Sequence, residues 1–187
     1  IRGPEDLALS VPNMHTNSVL GDGIPIFSLR GISMSDFSLN QNGPVATYYD
    51  EVYKGSFALL GLGMFDLARV EVLKGPQGTL YGKNTTGGAV NLVSRAPDFS
   101  NEAYVSLSAG NFNYWQAEGA GQLALSDTVA ARVAFTWADA DGWMENQYPG
   151  APDLNAIDQY GLRGSLRYAP NDRFDMVLRA TTSLQNP

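Results

Sequence analysis

The chain has 187 residues, 44% of them hydrophobic, which is ordinary for folded protein and leaves room for one domain or a small pair. Its formal net charge of −7, with no clustering of lysine and arginine, argues against a nucleic-acid partner, and the lack of cysteine rules out disulfide and thiol chemistry while suiting an exported protein. No apolar run approaches the roughly 18 residues of a transmembrane helix, and the first residues lack the regions of a signal peptide, so the chain reads as an internal fragment of a longer polypeptide.

Residues 1–98 hold short apolar segments separated by turns such as Gly21-Asp22-Gly23, Asn42-Gly43-Pro44 and Gly61-Leu62-Gly63, a pattern that predicts a compact, mixed α+β domain. An amphipathic helix is expected from Glu5 to Leu9, and a short turn of helix near Met64 to Leu67, with Phe65, Leu67 and Ala68 toward a core. Ala68 to Leu73 alternates like a half-buried strand, with Arg69 and Glu71 on one face and Val70 and Val72 on the other. A loop punctuated by Gly75, Pro76, Gly78, Tyr81, Gly82, Gly87 and Gly88 follows, and Ala89 to Ser94 is extended again.

Residues 99–187 are patterned differently: five long strands alternate strictly, near the length a tilted bilayer-spanning strand needs. The first, Ala103 to Gly110, sets Val105 and Leu107 against Tyr104, Ser106 and Ser108; the second, Tyr114 to Leu125, sets Trp115, Leu123 and Leu125 against Gln116, Glu118 and Gln122. Thr128 to Ala138 opposes Val133, Phe135 and Trp137 to Arg132 and Thr136, and Tyr160 to Tyr168 opposes Leu162 and Leu166 to Arg163, Ser165 and Arg167. In the fifth, Phe174, Met176, Leu178 and Ala180 oppose Asp175, Arg179 and Thr181. The connections at Ser126-Asp127 and Pro170-Asn171-Asp172 are tight, whereas Asp139 to Asp158 is long and polar. Alternation alone fits a soluble antiparallel sandwich as well as a membrane barrel, and five strands are too few to close a barrel, which needs about eight.

Several chemistries find no support. Gly75 to Lys83 departs twice from a phosphate-binding loop, with Gln77 at the first glycine position and Asn84 after the lysine. Asn84-Thr85-Thr86 reads as turn chemistry rather than a glycan acceptor. His15, in the polar stretch Asn13 to Asn17, is the single histidine, so a His/Cys metal site is implausible. Carboxylates are scattered rather than paired, and no nucleophile, base and orienter assemble, so an enzyme is disfavoured and no cofactor is expected.

The 33 residues from Asp66 to Asp98, DLARVEVLKGPQGTLYGKNTTGGAVNLVSRAPD, resemble the plug-domain signature of TonB-dependent outer-membrane receptors. Upstream, Pro4-Glu5-Asp6-Leu7 through Val11-Pro12-Asn13, the strand Phe27-Ser28-Leu29-Arg30-Gly31-Ile32 and the hairpin Pro44 to Tyr53 are similar to other segments of that plug. Asn13 stands for a glycine there, and both accept left-handed backbone; Glu51 also stands where glycine is customary, which leaves the turn type open. The resemblance implies a plug over residues 1–98, then over residues 99–187 the first strands of a monomeric barrel of about 22 strands. Tight turns would face the periplasm and the long loop the exterior, with the apolar strand faces against outer-membrane lipid.

The same resemblance implies roles for single residues. Arg69, with Glu71 beside it, is similar to the plug arginine that docks on barrel-wall glutamates; from the residues alone, a local Arg69–Glu71 surface pair is the alternative. Arg30, Tyr53, Lys54 and Phe57, with the loop Ser33 to Asn42, are candidates for a ligand-facing surface, and Arg30 serves equally as a brace for its loop. Arg132, Arg163, Arg167 and Arg179 would line the barrel interior, paired with Glu118 or Asp175, while Trp143 and Tyr148 in the long loop either touch ligand or anchor the interface. The implied function is uptake of a ferric siderophore, driven through TonB with ExbB and ExbD, with cobalamin, haem and oligosaccharide open as ligands. The competing class is a soluble secreted β-rich carbohydrate-binding module that stacks sugars on Trp115, Trp137 and Trp143.

Overall fold

A computed structural model describes residues 4–18, 25–36, 41–56 and 64–186, and the chain divides between Ser94 and Arg95 into two compact units. In the first unit, Pro4–Ser10 forms helix α1, where proline fits the first turn because its missing N–H is unpaired there anyway. The helix overlaps the expected Glu5–Leu9 segment, and its Leu7 is buried. Asn13, at φ 60, turns the chain into β1 (Met14–Ser18), which pairs antiparallel with β2 (Pro25–Leu29). His15 is therefore a strand residue opposite Ser28 rather than part of a loop, because the short polar run pairs with an apolar partner strand.

The second layer is a four-stranded sheet built from β3 (Val45–Tyr49), β4 (Val52–Tyr53), β5 (Leu67–Lys74) and β6 (Gly88–Ser94) in the order β4-β3-β6-β5. Strand β6 lies parallel to β3 and antiparallel to β5. Val45, Val90 and Leu92 on one sheet face form the core with Leu7, Met14, Phe27 and Leu29, joined by Val70 and Val72; on the other face Ala46, Tyr48 and Ala89 pack with Leu73 and Tyr81. Three local expectations change. Met64 to Leu67 is a bend running into β5 rather than a helical turn: Phe65 is buried as expected, but Ala68 is exposed, because this segment starts a strand whose register is set by β6. Phe27 to Ile32 is not a continuous strand, since Arg30 (φ 53) and Gly31 (φ 79) make a tight turn closed by Leu29 and Ile32. The signature loop holds a short helix, α2 (Gly78–Tyr81), that periodicity could not reveal in four residues. The turns expected at Gly21-Asp22-Gly23 and Gly61-Leu62-Gly63 lie outside the described residues.

The second unit is one five-stranded antiparallel sheet of neighbours in sequence order: β7 (Glu102–Ala109), β8 (Trp115–Ser126), β9 (Val129–Ala140), β10 (Ile157–Asn171) and β11 (Phe174–Asn186). The pairing Glu102↔Gln122↔Arg132↔Ser165↔Arg179 places the polar residues on one face. The opposite face carries Val105, Leu107, Leu123, Val133, Phe135, Trp137, Leu162, Leu166, Met176 and Leu178, all exposed. The tight turns fall at Asp127-Thr128, whose amide N–H donates to Ser126 Oγ, and at Asp172-Arg173, where the Arg173 N–H donates to Asn171 Oδ1. Both lie at the end of the sheet opposite the long link between β9 and β10.

Two positive-φ positions give direct tests. Asp50 (φ 46) and Glu51 (φ 68) form the two-residue β3–β4 hairpin, the type I′ geometry for which glycine at the second position is favoured. Glu51→Gly is expected to raise the stability of the first unit by about 1 kcal/mol, read as a higher urea midpoint for proteolysis before Ser94. At Gly88 (φ 148) a Cβ would sit 2.3 Å from the Leu73 carbonyl oxygen and 2.6 Å from Leu29 Cδ1. Gly88→Ala should cost about 3 kcal/mol in the same assay, because it adds backbone strain to a collision between β5 and β6.

Candidate functional site

The signature loop is held at both ends of its span by backbone bonds: Gly75 N–H donates to Gly87 O, and Gln77 N–H to Thr85 O. Thr85, itself buried, donates its hydroxyl to Gly82 O at 2.7 Å. Gly75 (φ 91) and Gly82 (φ 77) take left-handed backbone, while Gly87 gives room to Ile32, whose Cγ2 would lie 2.9 Å from an added Cβ. Pro76 and Gly78 are exposed beside this frame. The Tyr48 hydroxyl donates to Tyr81 O at 2.5 Å, and burial, with Tyr53 and Tyr81 nearby, raises its pKa. The signature string is thus a hydrogen-bonded loop whose glycines serve turns and close contact.

Among the expected ligand-facing residues, Tyr53 is tied down. Its ring lies 5.5 Å from that of Tyr48, its hydroxyl donates to Asn42 Oδ1 at 3.2 Å, and it accepts from Asn84 Nδ2 at 3.0 Å. The Lys54 ammonium sits 5.7 Å from the centroid of the Tyr49 ring. Arg30 is exposed on its turn, with a guanidinium nitrogen 4.0 Å from the position of a Cβ on Gly75. The structure brings Arg30 to the signature loop and Tyr53 to Asn84 of the same loop; Phe57 lies outside the described residues, as do residues 37–40 of the Ser33–Asn42 loop. A cavity of about 30 Å³ lined by Phe27, Met34, Thr47, Tyr53 and Lys54 lies beside these residues and is an order of magnitude below a ligand pocket.

On the β5 face, Arg69 Nε donates to Glu71 Oε1 at 2.6 Å, and Asn91 Nδ2 donates to Glu71 Oε2 at 3.0 Å. The two charges share a face as expected, and the local pair forms; Asn91 is the member that sequence reading missed, because its role depends on the register between β5 and β6. The hydrogen bond from Arg69, then that from Asn91, lowers the Glu71 pKa. In the second unit Arg167 makes a two-point contact with Asp175, at 3.0 and 2.6 Å. Arg132, only 2% exposed, reaches Glu102 Oε1 at 3.3 Å and Gln122 Oε1 at 3.0 Å, and Glu118 accepts from the Tyr104 hydroxyl. Arg163 donates to Thr181 Oγ1 at 3.3 Å. Trp143 and Tyr148 are exposed in the long link, which is ordered by the Met144–Leu154 bridge and by Asn146. Among the described residues no cluster of metal ligands occurs.

A small α+β domain followed in sequence by long antiparallel strands with charged residues on one face and uncovered apolar residues on the other defines the class of plugged outer-membrane barrel proteins. Residues 2–89 match the family model of the TonB-dependent Receptor Plug Domain. The chain is 32% identical over 148 residues to the pesticin receptor of Yersinia pestis, covering 78% of this chain and 21% of that protein. It is 30% identical over 126 residues to the ferrioxamine receptor of Yersinia enterocolitica, covering 67% and 17%. The crystal structure of the ferric yersiniabactin uptake receptor FyuA from Yersinia pestis superposes with a TM-score of 0.83 at 27% identity, over 92% of this chain and 27% of that one. The chain therefore belongs to the TonB-dependent outer-membrane receptors, and it spans about a fifth of the length of these curated relatives.

Because its pKa is lower in the folded state, Glu71 adds stability that is present above the unfolded carboxylate value of about 4.3 and is lost as the pH falls through the folded value. Urea midpoints of the first unit should therefore drop between about pH 6 and pH 3 more steeply in the wild type than in Glu71→Gln.

Proposed function

We propose that the protein imports an iron chelate, a ferric siderophore, across the outer membrane. TonB-dependent receptors are transport proteins of that membrane, and two of the relatives named above are receptors for ferrioxamine and for ferric yersiniabactin. The observation that carries the reading is the second unit's reversed burial: Leu107 is 73% exposed while Arg132 is 2% exposed. A water-soluble sheet buries the former and solvates the latter; a strand between lipid and a polar lumen does the opposite. The carbohydrate-module alternative places Trp115 and Trp137 on this same apolar face, one register step apart on β8 and β9, among Leu123, Val133 and Phe135. That setting suits acyl chains rather than a sugar.

The mechanism follows from size. A chelate cannot cross a lumen that a folded plug occupies, so the plug must be rearranged by work supplied from outside the protein, which in this reading TonB with ExbB and ExbD delivers from the proton-motive force. Arg30 and Lys54 supply cationic groups for anionic oxygen ligands, and Tyr53 supplies area on a surface fixed by Asn42 and Asn84. The Arg69–Glu71–Asn91 set has one exposed guanidinium, which in this reading docks on carboxylates of strands beyond this chain.

Uptake of radioactive iron as its ferrioxamine and yersiniabactin chelates by a deletion strain, with and without the restored gene, tests the reading. Restored uptake of at least one chelate, abolished by an uncoupler of the proton-motive force, is expected. Unchanged iron uptake alongside lost cobalamin uptake would reassign the ligand, and recovery of the protein in the soluble fraction would end the importer reading.

A further inference from the structure

Residues 95–101, which join the last strand of the first unit to β7, form no strand, yet two strands of the second unit, β8 and β10, grip them. Gln122 on β8, 2% exposed, donates through Nε2 to Asp98 Oδ1 at 2.5 Å and to Ser100 Oγ at 2.7 Å. Its carbonyl oxygen accepts from Arg132 on β9, which also reaches Glu102, so the amide is fixed from both ends. Asn101 Oδ1 accepts the Ala124 N–H at 2.9 Å. On β10, Arg167 donates to Pro97 O at 3.3 Å and lies 5.5 Å from the Phe99 ring centroid, while Asp175 holds its other nitrogens. The Ser100 hydroxyl and amide, then Gln122 and Arg132, lower the Asp98 pKa, as expected of a well-bonded carboxylate.

The other side of the joint has its own fastening. The Ser94 N–H and hydroxyl both donate to the Asp50 carboxylate, at 2.8 and 2.7 Å. Between the two fastenings stand Arg95 and Ala96, with one long contact from Arg95 to Glu102 at 4.0 Å. We infer that Pro97–Asn101 is a strap that stays on the barrel strands when the first unit is displaced, so that movement of the plug ends at Arg95-Ala96. The polar atoms of Gln122 and of Arg132 behind it are deeply buried and charged or doubly bonded, and a segment held from two separate strands, by Gln122 and Arg167, leaves only when both release. This deepens the importer reading and rests on it.

Hydrogen exchange read by mass spectrometry on the full-length receptor in lipid, in urea that unfolds the first unit, tests the strap. Peptides before Ser94 are expected to exchange fully while 97–101 keeps protection with β7 to β11, and Gln122→Ala should speed exchange of the strap alone by about tenfold. Asn101→Ala, which removes one acceptor and leaves the buried pair intact, serves where Gln122→Ala does not assemble and should give a smaller change in the same direction. A wild-type strap that exchanges together with the first unit, while β7 to β11 stay protected, overturns the strap and leaves the importer reading standing. Loss of protection in β7 to β11 as well would overturn both.

Discussion

Everything in the second unit depends on one uncovered surface. Five strands present Val105, Leu107, Leu123, Val133, Phe135, Leu162 and Leu178 on a single face, and among the described residues nothing covers them. Apolar area left in water is unfavourable by about 25 cal/mol for each Å² that lipid would otherwise take up, so a face of this extent requires an apolar solvent. The reverse face then must be satisfied within the protein. Arg132, Gln122 and Arg163 achieve this through Glu102, Asp98, Ser100 and Thr181, and burial of such groups is tolerable only because they are bonded.

The first unit obeys the ordinary rule, with its apolar residues inside, and its specificity comes from close backbone approach. Gly88 allows Leu73 O and Leu29 to meet β6 where any side chain would collide, and Gly87 does the same for Ile32. The signature string is therefore better understood as a packing solution between β2, β5 and β6 than as a binding loop. Its contacts with the tyrosines of β3 and β4 reinforce this: Tyr81 gives its carbonyl to Tyr48, and Asn84 gives its amide to Tyr53. The ligand-facing role proposed for Tyr53 would thus be exercised by a residue already braced against this loop, with Arg30 exposed beside it.

Much of this was legible in the sequence, for identifiable reasons. Long strands with period-two alternation were read within a few residues of their ends, as in β8 and β9, because the pattern repeats over a dozen positions. The sharing of a face by Arg69 and Glu71 followed from the same geometry. What escaped was whatever depends on partners distant in sequence: Asn91 beside Glu71, Glu102 beside Arg132, and the fastening of Asp98 by Gln122. Met64 to Leu67 misled because so short a stretch, with Phe65 and Leu67 on either side of Asp66, satisfies helix and strand alike, and pairing with Ser94 decided the outcome.

The order of strands in the first unit also sets how it can come apart. The segment α1, β1 and β2 is a separate flap, joined to the sheet through side chains, whereas β6 has β3 on one side and β5 on the other. Tension entering from the amino-terminal end meets the flap first, and it can peel away without severing one hydrogen bond of the four-stranded sheet. Release of β6, by contrast, demands that two ladders rupture together, so the leading segment is retained by buried side chains alone and the trailing strand by side chains and both ladders.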